Sequence, residues 1–352
     1  MTSYALLLRP ASNRVYTKGA AALSSAELSV LQNGVLDATL HTVEPAVIGG
    51  VEYVRFVTKR DLSDHDVAHL SNLSSAFALF RIVDDTNLAP VTLTPLAHLD
   101  EDLLTILRYK GKTNEQFTKL LFNVTLASLH THDHAATTAR RLRVLDPVCG
   151  RGTSLNQGLA YGFDVDGIEI DRAAYDAYHA FLVTWLKDKR YKHQVHTMPL
   201  RRDGKVVGRR FEIVFARDKD EYKAGDVQRV RFVNDDTTEA GEHYRKPVFD
   251  AVVADLPYGV QHASRARPDA RSRRPEDLLD AALPGWIGAM KPGAAIGLSW
   301  NTKVSKRDAL VDILVRHGLE LAPATAGTSF EHRVDQAITR DLVVARRPVE
   351  PV

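Results

Sequence analysis

Apolar and polar positions over the first ninety-odd residues alternate with two different periods. Tyr4 to Arg9 is a strand-like run, and Ala22 to Leu31 repeats Leu23, Leu28 and Leu31 at helical spacing until Asn33-Gly34 stops it. Ala38 to Val47 and Val51 to Val57 are strand-like and flank Gly49-Gly50, a hairpin-turn dipeptide. Asp64 to Leu73 is helical again, and Ala76 to Val83 is a last strand. The order β-α-β-β-α-β predicts a small α+β domain of ferredoxin-like type over residues 1–95. Pro90 and Pro95 punctuate the approach to a connector, residues 96–136. Within it, Thr113-Asn114-Glu115-Gln116 has the form of a capping box. It opens a helix with Phe117, Leu120, Leu121, Val124 and Ser128 along one face.

From residue 137 to 352 the pattern changes to strands alternating with helices. Val144-Leu145 closes on Asp146, a loop runs from Pro147 to Gly152, and Leu155 and Leu159 lie one helical turn apart. Gly162 ends that helix and Val165 to Ile170 reads as a second strand, completing a βαβ unit in about thirty residues. Tyr175, Tyr178, Leu182 and Trp185 follow at three- and four-residue steps, the spacing of a core-facing stripe. Residues 199–230 form a charged insert, with Val206 to Gly208 and Phe211 to Ala216 predicted as hairpin strands. Val230 to Val233 and Ala251 to Ala254 are strands, the second with nothing polar in it and so buried on both faces. Then come a helix over 276–290 interrupted near Pro284, a strand from Ala294 to Trp300, and a helix from Ser305 to His317-Gly318. The final strands are Leu319 to Thr325 and Arg340 to Ala345, joined through Phe330-Glu331-His332-Arg333.

Composition adds little to this picture. The length accommodates two domains and a full core. No apolar run approaches a membrane span, and MTSYALLLRP lacks the marks of a signal peptide. A single cysteine excludes an internal disulfide and fits a reducing, cytoplasmic setting. A net charge of +2 is compatible with a basic face. His130, His132 and His134 alternate without a cysteine or paired acid at ligand spacing, so they read as a solvated linker and no metal site is expected.

The chemistry gathers at strand ends. Glycines at 150 and 152 allow positive φ and remove Cβ atoms that would block a ligand on the loop. Glu169 closes the second strand, where a carboxylate accepts both hydroxyls of a ribose. A dinucleotide loop needs a third glycine where Leu155 stands, so that reading is weak, and S-adenosylmethionine is the alternative such a half can hold. Asp255-Leu256-Pro257-Tyr258-Gly259 follows a buried strand at the end where open α/β sheets bind ligands. The segment resembles the catalytic motif of methyltransferases acting on planar exocyclic nitrogens. That resemblance implies that Asp255 and a neighbouring carbonyl hold the hydrogens of such an amine, whose lone pair is otherwise delocalised into its ring, and that Tyr258 stacks on that ring. Arg265, Arg267, Arg271, Arg273 and Arg274 lie just beyond. A second basic cluster, Arg201, Arg202, Lys205, Arg209 and Arg210, sits in the insert. Either is a solvated face or a track for phosphates.

DPVCGRGT resembles the first motif of class I methyltransferases, and DLPYG resembles the catalytic motif of those acting on exocyclic nitrogens. The form DLPYG, with YKGKTNEQF before the catalytic domain, is similar to THUMP-associated RNA guanine-N2 methyltransferases, which act on tRNA. The resemblance covers residues 108–171 and 249–301 and is faint before residue 90. It implies a Rossmann-like α/β domain over 137–352, a mostly parallel sheet with an antiparallel final strand. It implies Asp255, Pro257 and Tyr258 as catalytic residues. The cofactor residues it implies are Asp146, Cys149, Gly150, Gly152, Thr153, Glu169 and Asp171 on the βαβ unit. Asp236 (with Asp235 as fallback) and Thr237 follow the third strand; Asn114 and Phe117 start the preceding helix, where Lys112 and Thr113 are further candidates to touch the ligand or target. The reaction implied is methyl transfer to guanine N2 in RNA, tRNA first. The same motif also serves adenine N6 in DNA or RNA, or a small-molecule or protein nitrogen.

Overall fold

The computed structural model describes residues 1–11, 14–84, 87–109, 111–130, 141–257 and 274–349. Its first sheet is built from β1 (Thr2–Leu8), β2 (Leu40–Ile48), β3 (Val51–Thr58), β4 (Ala76–Ile82) and β5 (Leu88–Val91). Helices α1 (Arg14–Gly34) and α2 (Asp64–Leu70) connect them. The strand order is β2-β3-β1-β4-β5 with every neighbouring pair antiparallel. Gly49 and Gly50 both take positive φ, 57° and 80°, which is what a two-residue turn between β2 and β3 needs. The fifth strand was not expected, because Pro90 pointed to a connector. Pro90 instead pairs with Phe80 on an edge strand, where a missing N–H costs no central ladder bond. Helix α1 starts earlier than its leucines suggest, since Tyr16 and Ala20 extend the buried stripe.

After α3 (Asp102–Thr105) and α4 (Glu115–Leu126), the chain enters a ten-stranded sheet. Its first half contains β6 (Arg143–Asp146), α5 (Thr153–Ala160), β7 (Asp164–Ile168), α6 (Arg172–Asp188), β8 (Lys192–Arg202), β9 (Lys205–Ala216), α7 (Lys219–Ala224) and β10 (Gln228–Asn234). The second half contains α8 (Ala240–His243), β11 (Phe249–Asp255), α9 (Pro275–Ala289), β12 (Met290–Asn301), α10 (Arg307–Arg316), β13 (Glu320–Leu321), β14 (His332–Arg333) and β15 (Thr339–Arg346). The order is β13-β15-β12-β11-β6-β7-β10-β9-β8, with β14 paired to β15. From β12 to β10 all pairs are parallel, and β15 runs antiparallel to β12. The chain winds outward from β6 in both directions, so the reversal of strand order falls between β6 and β11. That is where a doubly wound sheet opens a crevice at its carboxyl ends.

The hairpin β8–β9 begins at Lys192, well before the expected insert, and β9 pairs with β10. The insert therefore widens the sheet. Pro284 does not interrupt α9: it lies on the exposed side of a continuous helix, where the carbonyl one turn earlier can turn to water. Only Glu320–Leu321 of the expected strand from Leu319 to Thr325 pairs, because Pro323 to Thr325 forms a 3₁₀ turn.

Strand β11 alternates strictly. Ala251 and Val253 pack toward α4, while Val252 and Ala254 pack toward α9. The α4 face, through Phe117, Leu120 and Val124, is continuous with Tyr4, Leu6, Val54 and Phe56 of the first sheet in one buried cluster. A polar joint lies within it. Glu27 accepts from the Ser74 amide at 3.0 Å and from Asn123 Nδ2 at 2.6 Å. No helix among the described residues is long and apolar enough to cross a membrane.

Candidate active site

Asp146 ends β6 at the crevice. Its Oδ1 accepts from the Val148 amide at 3.0 Å, and the Ser154 hydroxyl donates to Oδ2. Burial is the chief reason its carboxyl is pushed up to about 7. Gly150 adopts φ +53°, and a Cβ there would meet nothing within 4 Å, so the loop surface is open on that side. Gly152 is bare for a different reason than expected. With φ +79°, a Cβ would lie 2.4 Å from the Tyr178 ring, so Gly152 makes room for α6 and not for a ligand. Cys149 is buried with its sulfur packed against Gly167, where a Cβ would come within 2.6 Å. Burial pushes its thiol well up, which suits a packing residue and not a nucleophile.

Glu169, just past β7, accepts from the Gly150 amide at 2.9 Å and the Asp171 amide at 2.7 Å, one bond to each oxygen. Each oxygen keeps a lone pair, so the carboxylate braces the loop and still has acceptor capacity. Desolvation raises its pKa. Asp171 caps α6 by accepting from the Ala173 amide at 2.9 Å. Asp236 likewise caps the turn after β10, accepting from the Thr238 amide at 3.0 Å. The Thr237 hydroxyl accepts from Trp286 Nε1 at 3.0 Å. Asp235 is engaged by His243 at 3.0 Å and Arg202 at 3.2 Å. These side chains are thus occupied by the fold, and the segment offers its backbone to a ligand more readily than its carboxylates.

The segment before α4 bridges the two halves of the site. Tyr109 Oη meets Thr153 Oγ1 at 3.0 Å, and the Arg151 guanidinium lies 5.0 Å from the centre of the Tyr109 ring. Four residues on, Thr113 donates its hydroxyl to Asp255 Oδ2 at 2.7 Å. The expected capping box is therefore corrected. Asn114 is the N-cap, accepting from the Phe117 amide at 3.1 Å, and Thr113 is released to face Asp255. Lys112 is tied to Glu115 at 2.5 Å and to the Leu104 carbonyl at 2.6 Å.

Asp255, at the end of β11, is held from three sides. Besides Thr113, the Ser299 hydroxyl donates to Oδ1, and Arg340 Nη2 lies 3.3 Å from Oδ2. The Arg340 side chain is 4% exposed, with its guanidinium 4.6 Å from the centre of the Phe117 ring. Phe117 is fully buried and also packs on His332, ring centres 5.0 Å apart. Phe117 is thus the floor under Arg340. Pro257 follows a buried Leu256 whose amide donates to the Ser299 carbonyl at 2.8 Å.

Tyr258, Arg265, Arg267, Arg271 and Arg273 lie outside the described residues. Arg274 is described and exposed at the start of α9. In the insert, Arg201, Lys205 and Arg209 are exposed. Arg202 pairs with Asp235 and Glu239, and Arg210 with Glu212 at 3.3 Å, so those two are not free to follow phosphates. Ser299, Arg340, Tyr109 and Arg151 escaped the sequence reading. Tyr109 and Arg151 lie inside the segments YKGKTNEQF and DPVCGRGT without being singled out there, whereas Ser299 and Arg340 sit on distant strands and carry no local signal.

No family profile and no curated protein matches the chain. Among solved structures, the fold is similar to an rRNA methylase from Streptococcus thermophilus at 11% identity. That match covers 59% of this chain and 87% of the other, with a TM-score of 0.33. A TehB-like SAM-dependent methyltransferase from Corynebacterium glutamicum is 15% identical over 60% of this chain and 84% of its own, TM-score 0.33. Magnesium protoporphyrin IX methyltransferase from Synechocystis PCC 6803, with bound SAM, is 12% identical over 68% and 86%, TM-score 0.38. Likenesses at this level carry no argument about chemistry.

Proposed function

We propose that the chain is an S-adenosylmethionine-dependent methyltransferase whose acceptor is the N2 amine of a guanine in RNA, tRNA first among candidates. One observation carries the reading. A single five-residue span, Tyr109 to Thr113, contacts Arg151 of the glycine loop and Thr153 just after it at one end and the Asp255 carboxylate at the other. A ligand on the loop and an amine at Asp255 are therefore neighbours across the switch point.

The residues fit the cofactor. Gly150 leaves open space above the loop, and the Glu169 carboxylate keeps acceptor capacity for a ribose. Bound there, the cofactor supplies an electrophilic methyl on a sulfonium. The protein supplies position and charge. Asp255 is fixed by Thr113, Ser299 and Arg340 before any substrate arrives, so little reorganisation is needed when the amine nitrogen turns positive. Arg201, Lys205, Arg209 and Arg274 are exposed described cations with which RNA phosphates would pair. Residues 1–95 are read as a ferredoxin-like module carried on the same core.

Labelling total RNA and total DNA with methyl-labelled cofactor, followed by nucleoside identification, tests the proposal. Label in N2-methylguanosine supports it. Label confined to N6-methyladenine, or to neither nucleic acid, overturns the guanine assignment.

A further inference from the structure

Outside this crevice, α2 presents two histidines one helical turn apart. His65 Nε2 and His69 Nε2 face each other at 3.2 Å, with ring planes 70° apart. Two imidazoles bound to one tetrahedral ion at about 2.0–2.1 Å hold their nitrogens roughly 3.3 Å apart. The other nitrogen of His65 is shielded from solvent and lies 3.4 Å from Asp37 Oδ2 without forming a hydrogen bond. A proton on that Nδ1, within ion-pair distance of the carboxylate, would leave the Nε2 lone pair for a ligand, the tautomer found when a carboxylate orients a metal-binding histidine.

The surroundings hold this arrangement in place. Asp66 accepts from the backbone amides of Asp37 and Ala38 at 2.9 and 3.0 Å, which pins the α1–β2 connection, and with it Asp37, against α2. Asp66 also lies near His65, but these amides, Ser63 and the Arg60 guanidinium at 3.5 Å occupy it. It serves as scaffold and not as a ligand. The His65 side chain remains about a third exposed, so an ion has access and room for water ligands.

We propose that His65 and His69 form a binding site for a late first-row divalent ion such as Zn²⁺, with Asp37 orienting His65 from behind. Imidazole nitrogen suits this class of ion, and exposed coordination positions suit a site completed by water. Binding cross-links the turn of α2 and stabilises the native chain by mass action. This site is independent of the proposed methyl transfer.

The test uses the full chain stripped with chelator and titrated with Zn²⁺ in a calorimeter, alongside thermal unfolding. One equivalent should bind and raise the unfolding temperature. His65→Ala and His69→Ala should each abolish that binding, and Asp37→Asn should weaken it about tenfold or more, as for loss of an outer-shell partner. With Cu²⁺ as a paramagnetic probe, the spectrum should report two imidazole nitrogens in wild type and one or none in either variant. The chain has 14 histidines, so binding that persists in both histidine variants marks other sites and overturns the proposal. So does absence of binding to wild type, which would reduce the pair to an ordinary hydrogen bond. If a histidine variant fails to fold, the wild-type Cu²⁺ spectrum decides: fewer than two imidazole nitrogens overturns the site.

Discussion

Thr113 donates its hydroxyl to Asp255 Oδ2 at 2.7 Å, across 142 residues of chain. The bond couples the start of α4 to the end of β11, and it does so at the switch point of the sheet. With Ser299 and Arg340 it leaves Asp255 little freedom to rotate. The arrangement separates positioning from binding, which makes its parts separately testable.

Asp255→Ala should lose most turnover while cofactor affinity stays nearly intact. The carboxylate meets the amine most strongly as charge develops, so the loss belongs in kcat. Steady-state kinetics on the identified substrate, beside calorimetry with the cofactor, checks this. Normal turnover would mean the reacting amine lies elsewhere.

Thr113→Val keeps the shape and removes the donor. A hydrogen bond to a charged group contributes about 1.5–3 kcal/mol, so kcat should fall by roughly ten- to a hundredfold. Thr113→Ser should restore most of it, since the hydroxyl remains.

Glu169→Ala should weaken S-adenosylmethionine binding by about 1.5–3 kcal/mol, through lost acceptors and a less braced Gly150. Unchanged affinity in a folded variant removes Glu169 from the ribose site.

The two loop glycines should behave differently on substitution by alanine. Both pay the left-handed strain of roughly 1–2 kcal/mol, but only Gly152→Ala also drives a Cβ to within 2.4 Å of Tyr178. Thermal unfolding should therefore drop much further for Gly152→Ala. Gly150→Ala should show its main effect in cofactor affinity.

Asp146 has its carboxyl raised to about 7 by burial, from 3.8. The folded state then holds a proton that the unfolded state has released. Stability contributed by this group is present at low pH and falls as pH rises from about 4 to about 7. Asp146→Asn should be more stable than wild type at neutral pH without cofactor, with the difference vanishing near pH 4. Chemical denaturation at several pH values measures it. An advantage that does not shrink toward pH 4 would contradict burial as its cause.

Much of the site was legible in the sequence because its signals are local. A strand ending on Asp146, a glycine loop and a helix carrying Leu155 and Leu159 follow from the apolar period and from glycine's conformational freedom. Asp255 could be placed at a crevice because Ala251 to Ala254 has no polar face and must run through the middle of a sheet. Pairing supplied what periodicity could not. Asp255 meets Ser299 through β11–β12 pairing, and Arg340 enters only because β15 returns antiparallel beside β12. Phe117 was visible as an apolar helix position, but only packing shows it beneath Arg340. Gly152 was visible as a glycine, but its necessity lies in Tyr178, on another helix. The sequence by itself determined most of the strands and helices and which loops carry glycine and carboxylate, since backbone preference and hydrophobic period act within a few residues. It missed the edge strand Leu88–Val91 and the early start of the hairpin at Lys192, which exist through pairing with a neighbour. The tertiary structure decided which carboxylate is clamped, which is merely a cap and which ring is buried, because those depend on register between segments that no local pattern encodes.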